Sequence, residues 1–292
     1  MIRRLLAVPA LAAAMLALGA PARASAGTMT LGAYSGLGTW IDIFDGNLMK
    51  TPDRTAAALK ARGVNTIFLE TGNSSAKDAF VRPGAAAALI QSAHKRHMKV
   101  VAWYLPTLVD QGKDQRRALG AIRFRTPLGQ SFDGFALDIE SSAVHTISTR
   151  NARLLAVSSY LRRWAPSGAK LGAIIPAPRG MQLSPTYWPN FPYTGLASIY
   201  DVFAPMGYYT NRVSGERDAY LYTWMNARII WNETGDPTIP VHMIGGGAGT
   251  TTHAEVHGFV HAVRDLGLPG GSLYDAATTR DFAWRELAVL HR

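Results

Sequence analysis

Short apolar runs with the two-residue period of a strand alternate along this chain with longer runs of helical period, and no linker rich in Gly, Ser or Pro interrupts them. The strand-like runs fall at 39–44, 66–70, 100–105, 132–140, 171–176, 201–208, 241–244 and 272–274. The intervening segments carry helix start and stop signals. "TPDRTAAALKARG" offers Thr51 as N-cap, Pro52 at the first helical position and Gly63 as a stop. "RPGAAAALIQSAHKRHM", "RNARLLAVSSYLRRWAPSG", "DAYLYTWMNARIIWNETG", "THAEVHGFVHAVRDLG" and "DFAWRELAVLHR" follow the same logic. The segment around 115–122 is the weakest helix, and the fifth unit is mostly loop.

Strand–helix alternation repeated in this way predicts an α/β fold, a (β/α)8 TIM barrel forming a single domain over 27–292. The alternative is a doubly wound open sheet. The barrel is favoured because Glu70, Tyr104, Asp138, Glu140, Tyr208 and Tyr274 gather at the carboxyl ends of many strands, where a barrel makes one cleft. Residues 1–26 stand apart: Arg3 and Arg4, an apolar run to Leu18, and a small-x-small ending at Ala24-Ser25-Ala26 predict a secretory signal peptide. The run is too short for a stable membrane span and no Cys follows it, so no membrane anchor is expected, and the product is a secreted or cell-wall-associated protein.

Composition refines this. The chain has no Cys, so an exported fold must rest on its core and not on disulfides. Loss of Arg3, Arg4 and Arg23 with the leader leaves 27 basic against 20 acidic residues, +7. That excess suits anionic surroundings such as acidic glycans, or is an ordinary solubility charge. No basic run is dense enough for nucleic acid.

The chemistry concentrates in "DGFALDIE". Side chains alternate along a strand, so with Phe135, Leu137 and Ile139 toward the helices, Gly134, Ala136, Asp138 and Glu140 face the barrel interior. Buried carboxylates are costly unless paired, hydrogen-bonded or useful. The stretch resembles the Asp-x-x-Asp-x-Asp-x-Glu signature of family 18 glycoside hydrolases, the chitinase family, through Asp133, Gly134, Asp138 and Glu140. Ala136 stands where that family has an inward aspartate. "YDVFAPMGYYT" resembles the family's sixth strand through Asp201, Met206 and Tyr208; Tyr209 replaces its final aspartate and Ala204 its usual asparagine. Tyr274 stands where the eighth strand ends in tryptophan.

The resemblance implies a secreted glycosidase acting on an N-acetylhexosamine-containing polymer of the chitin or peptidoglycan type. Glu140 would be the general acid/base, Asp138 would orient the substrate's 2-acetamido group, and Tyr208 would hydrogen-bond to it. Ala136 leaves two alternatives open. One is a two-carboxylate mechanism with Glu70 as first candidate partner and Asp42, Asp110 and Asp275 behind it. The other is a non-catalytic carbohydrate-binding barrel.

Substrate contacts are expected from Glu70, Tyr104, Met206, Tyr209, Tyr274 and Trp188, with "SPTYWPNFPYTG" as a cleft wall or a self-packed loop. Trp164, Trp224, Trp231 and Trp284 read as core. "GGGAGTTTHAEV", with an N-cap threonine, fits a phosphate site or a plain tight turn. With no lysine ending a strand to form a Schiff base, a phospho-ligand lyase ranks last. His253, His257 and His261 share a helix face but lack metal-protease spacing, so no metal and no cofactor is expected, and the protein is expected to be monomeric.

Overall fold

The computed structural model describes residues 31–291, so the expected leader at 1–26 lies outside the described residues. A 3-10 turn at Leu31–Tyr34 precedes β1 (Gly36–Ile41), α1 (Gly46–Lys50), α2 (Pro52–Ala61) and β2 (Thr66–Asn73). Next come α3 (Pro83–Lys95), β3 (Lys99–Leu105), α4 (Gln111–Ile122), β4 (Gly134–Asp138) and α5 (Ile147–Trp164). The fifth unit holds β5 (Leu171–Pro176) and two short helices, α6 (Pro178–Leu183) and α7 (Tyr193–Ala197). The chain finishes with β6 (Val202–Met206), α8 (Glu216–Thr234), β7 (His242–Gly247), α9 (His253–Asp265), β8 (Gly270–Tyr274) and α10 (Asp281–Leu287). The strands run parallel in sequence order and β8 closes on β1, so the expected (β/α)8 barrel is the observed fold. Among the described residues no helix is long and apolar enough to cross a membrane.

The strand period sorts side chains into two cores. Inside the barrel lie Trp40, Phe68, Val101, Trp103, Ala136, Ile174, Ala204 and Ile244; between barrel and helices lie Ile67, Leu69, Tyr104, Phe135, Leu137 and Ile139, among others. Trp40 stacks on Phe68 with ring centroids 4.2 Å apart. The barrel floor is closed by Tyr34, 1 % exposed, whose Oη donates to the Phe135 carbonyl at 2.7 Å. Its ring explains two glycines on the inward face. A Cβ at Gly134 would lie 3.0 Å from Tyr34 Oη, and one at Gly172 only 2.8 Å from the ring.

A buried polar relay lies beside this plug. Trp40 Nε1 donates to Ser272 Oγ at 2.8 Å, and Ser272 Oγ lies 3.0 Å from His242 Nε2. His242 Nδ1 lies 2.9 Å from the Tyr34 carbonyl, which can only accept, so Nδ1 carries the proton. Burial pulls the His242 pKa down to about 4, keeping the ring neutral.

Acids of the two resembling motifs serve as clasps at the strand starts. Asp133 takes the Val100 amide, His94 and Lys99, each within 3.1 Å. Asp201 takes the Leu171 amide at 2.8 Å and pairs with Arg162 and Lys170. Burial alone would raise both carboxyls, but these partners hold them below the usual range.

Two tryptophans expected in the core are not there. Trp164 (47 %) and Trp224 (36 %) are exposed on outer helix faces, with Arg163 and Arg228 over their rings. Trp284 is buried, and Trp231 packs half-buried against the core. The weak helix at 115–122 is longer than its pattern suggests, because Asp110 caps it through the Lys113 amide at 2.9 Å.

Candidate active site

On β4 the inward positions climb from Gly134 over the floor, through Ala136 in the apolar interior, to Asp138 at the carboxyl end. The expected strand to 140 stops at Asp138, and Glu140 lies two residues beyond, half-buried in the cleft wall. Asp138 is 6 % exposed and its Oδ1 has no hydrogen-bond partner. Burial, then the charges of Glu140 and Glu70, push its pKa well above the usual carboxylate range. Burial raises Glu140 as well. Two neighbouring acids that resist ionisation keep a proton above the ordinary carboxylate range, the property a general acid uses.

The cleft beside them has a volume of about 340 Å3, and its lining includes Glu140, Met181, Tyr187, Met206, Tyr208 and Arg212. Tyr187 Oη donates to the Glu140 carbonyl at 2.8 Å and so fixes the backbone that carries the acid. Tyr208 sits in the left-handed region at φ +43°, uncommon for a residue with a Cβ. This turn separates two neighbours: Tyr208 lines the cleft, packed edge-on to Tyr274 at 6.2 Å, whereas Tyr209 goes behind the barrel. Burial, then the charges of Asp138 and Glu140, raise the Tyr208 phenol, so these three groups form one electrostatic cluster.

Three expected contact residues lie elsewhere. Tyr104 is fully buried, facing α4, with its Oη donating to Asp114 at 2.7 Å; the inward residue of that pair is Trp103. Tyr209 is fully buried, with its Oη 3.0 Å from Thr251 Oγ1 and its ring against Phe259. Trp188 is 2 % exposed, donates to Asn151 at 2.8 Å and lies under the Arg150 guanidinium, so the loop wall is Tyr187 and not its neighbour.

Glu70 reaches the barrel mouth, but its Oε2 takes the Ile43 amide at 3.0 Å and its Oε1 the Asn73 side chain at 3.1 Å. Its pKa is raised, by burial first. The other acids considered are likewise engaged. Asp42 accepts from Tyr274 Oη at 2.7 Å and from the Phe44 amide, Asp110 caps α4, and Asp275 holds Thr278.

Carboxylate oxygens of Asp42, Asp45 and Asp275 come within 4.8 Å of one another, the one group of three among the described residues close enough to hold a metal ion. Burial, with the charges of Asp42 and Asp275 adding to it, lifts Asp45 to about 6. The histidine face of α9 is a surface stripe: His253 pairs with Glu286 and His257 with Glu216. The glycine loop ends in a capping box between Thr252 and Glu255, the expected N-cap. Arg212 and Met181 in the cleft lining carried no sequence signal, and Asp45 was hidden in the acidic "DIFD" loop.

No family model matches the sequence, and no curated protein matches it. Solved structures do share the fold. An endo-1,4-beta-mannanase from Rhizomucor miehei superposes with a TM-score of 0.67 at 11 % identity, over 88 % of this chain and 94 % of that one. A chitinase from Bacteroides thetaiotaomicron gives 0.63 at 11 %, over 88 % and 96 %. A family GH18 chitinase from Cycas revoluta, in complex with allosamidin, gives 0.64 at 10 %, over 88 % and 99 %. The likeness is one of fold: this chain shares its (β/α)8 barrel with these glycosidases at 10–11 % identity.

Proposed function

We propose that this protein is a secreted glycoside hydrolase acting on an N-acetylhexosamine-containing glycan, with Glu140 as general acid/base. The observation that carries the reading is the pairing of Asp138, buried with an unpartnered carboxylate oxygen, with Glu140 in the wall of an open cleft at the carboxyl end of β4. An uncompensated buried acid is costly, and at this end of a barrel such a group is normally functional. Glu140 would protonate the glycosidic oxygen and then activate water. Asp138, with Tyr208 beside it, would orient the substrate's acetamido group as internal nucleophile.

Hydrogen bonds to both oxygens of Glu70 and of Asp42 tie these two acids to neighbouring groups, and Asp110 caps α4; this favours substrate assistance over a second protein carboxylate. Ala136, buried in the apolar interior and in register with Trp103, supports a second reading, a carbohydrate-binding barrel without turnover. Hydrolysis of chitooligosaccharides and peptidoglycan fragments followed by NMR separates the two. The first reading expects reducing ends formed with retained configuration. Saturable binding with no product after long incubation would replace it with the second.

A further inference from the structure

Arg212 stands in the cleft wall with Glu140, at the end of the 3-10 turn Tyr209–Asn211. No salt bridge among the described residues involves it or nearby Arg179, whose Nη1 donates only to Gln182. The two guanidinium groups share a small side cavity of about 190 Å3 with Tyr222 of α8. Tyr222 is 4 % exposed and its Oη has no hydrogen-bond partner. The Asn226 amide gives one N–H to the Tyr222 carbonyl at 2.8 Å and its oxygen accepts the Arg179 N–H at 2.9 Å; toward the phenol it can offer only its second N–H, a donor, so the Tyr222 O–H still lacks an acceptor.

Gly180 of α6 joins this corner to the main cleft. A Cβ there would lie 3.3 Å from Tyr222 Oη and 3.8 Å from Arg212 Nη2. The corner therefore presents a buried, unused O–H donor and a guanidinium toward one small space that a glycine leaves open. The cavity's one acid, Asp218, is exposed and forms no salt bridge among the described residues. A buried donor without an acceptor is costly, and donors of this kind converging with positive charge match a planar oxyanion.

We propose that Arg212 and Tyr222, supported by Arg179, form a subsite for a carboxylate carried by the substrate sugar, so that the cleft selects an acidic glycan. This rests on the glycan-hydrolase reading of the same cleft and narrows its substrate class. The carboxylate could be a lactyl ether on a hexosamine or the C6 acid of a uronate, and the probes separate these sources.

The test is calorimetric binding to the full chain carrying Glu140→Gln, so that nothing is cleaved. The ligands are N-acetylmuramic acid against N-acetylglucosamine, and a glucuronate-containing disaccharide against its neutral glucose counterpart. At low salt, one acidic probe is expected to bind about tenfold more tightly than its neutral twin, with the preference shrinking as salt screens the charge. Arg212→Gln should abolish the preference and Arg212→Lys retain part of it. Tyr222→Phe should weaken it several-fold without lowering Tm, because the hydroxyl it removes is unpartnered in the fold. Equal binding of acidic and neutral probes, or a preference that survives Arg212→Gln, overturns the subsite while leaving the glycan cleft standing. Binding of no saccharide overturns both.

Discussion

Replacing Asp138 by Asn should make the fold more stable while removing the hydrolysis proposed above. The wild-type carboxyl is 6 % exposed, one oxygen has no partner, and burial plus the charges of Glu140 and Glu70 raise its pKa. For an acid whose folded pKa is raised, the unfolded chain releases the proton first. The destabilisation is therefore absent below about pH 4, grows as pH rises, and is complete above the folded pKa. Each tenfold bias against ionisation in the fold costs about 1.4 kcal/mol once the unfolded chain has ionised, and Asn keeps the shape without the charge. The variant should recover that cost at pH 8, with Tm rising roughly 2–4 °C per kcal/mol for a domain of this size. At pH 4 the gain should vanish. Urea denaturation of wild type and variant at both pH values measures it. Equal gains at pH 4 and pH 8, or a loss at pH 8, would refute the claim that Asp138 is held against its own ionisation.

Three further outcomes are expected. His242, held neutral with a pKa of about 4 against an unfolded value near 6.5, contributes stability that is present above pH 6.5 and lost as pH falls toward 4. The loss is on the order of 3 kcal/mol; His242→Gln should flatten it, and an unchanged loss in the variant contradicts the burial argument. Tyr34→Ala empties the barrel floor and should cost about 3–5 kcal/mol, like other large aromatic truncations, whereas a change below 1 kcal/mol in urea midpoints would mean that the plug is dispensable. Trp188→Phe should cost about 1–2 kcal/mol of stability through the lost Asn151 hydrogen bond. It should leave glycan affinity unchanged, and a selective loss of affinity with full stability would return Trp188 to the cleft.

The barrel was legible because its eight runs repeat one physical unit, and the phase of β4 was legible because its acids mark one face. Where both faces are apolar the phase is silent: in "KVVAWYL" nothing distinguishes Trp103, which faces inward, from Tyr104, which faces α4. Beyond a strand end the alternation stops applying, which is why Tyr209 turns away from Tyr208 and Trp188 from Tyr187. Trp164 and Trp224 followed helical spacing yet lie on outer faces, where a stacked arginine covers each ring. The roles of Asp133 and Asp201 needed the structure too, since a motif position does not say whether an acid meets substrate or an arginine. The Tyr34 plug depends on contacts more than a hundred residues apart, such as its hydrogen bond to Phe135.

Whether Asp138 and Glu140 act as a catalytic pair is read out in product release by wild type beside Glu140→Gln on the same oligosaccharide panel. A catalytic pair gives hydrolysis by the wild type and a loss on the order of 10²–10⁴-fold in the variant, with its fold and glycan binding intact. Hydrolysis undiminished in Glu140→Gln would contradict it.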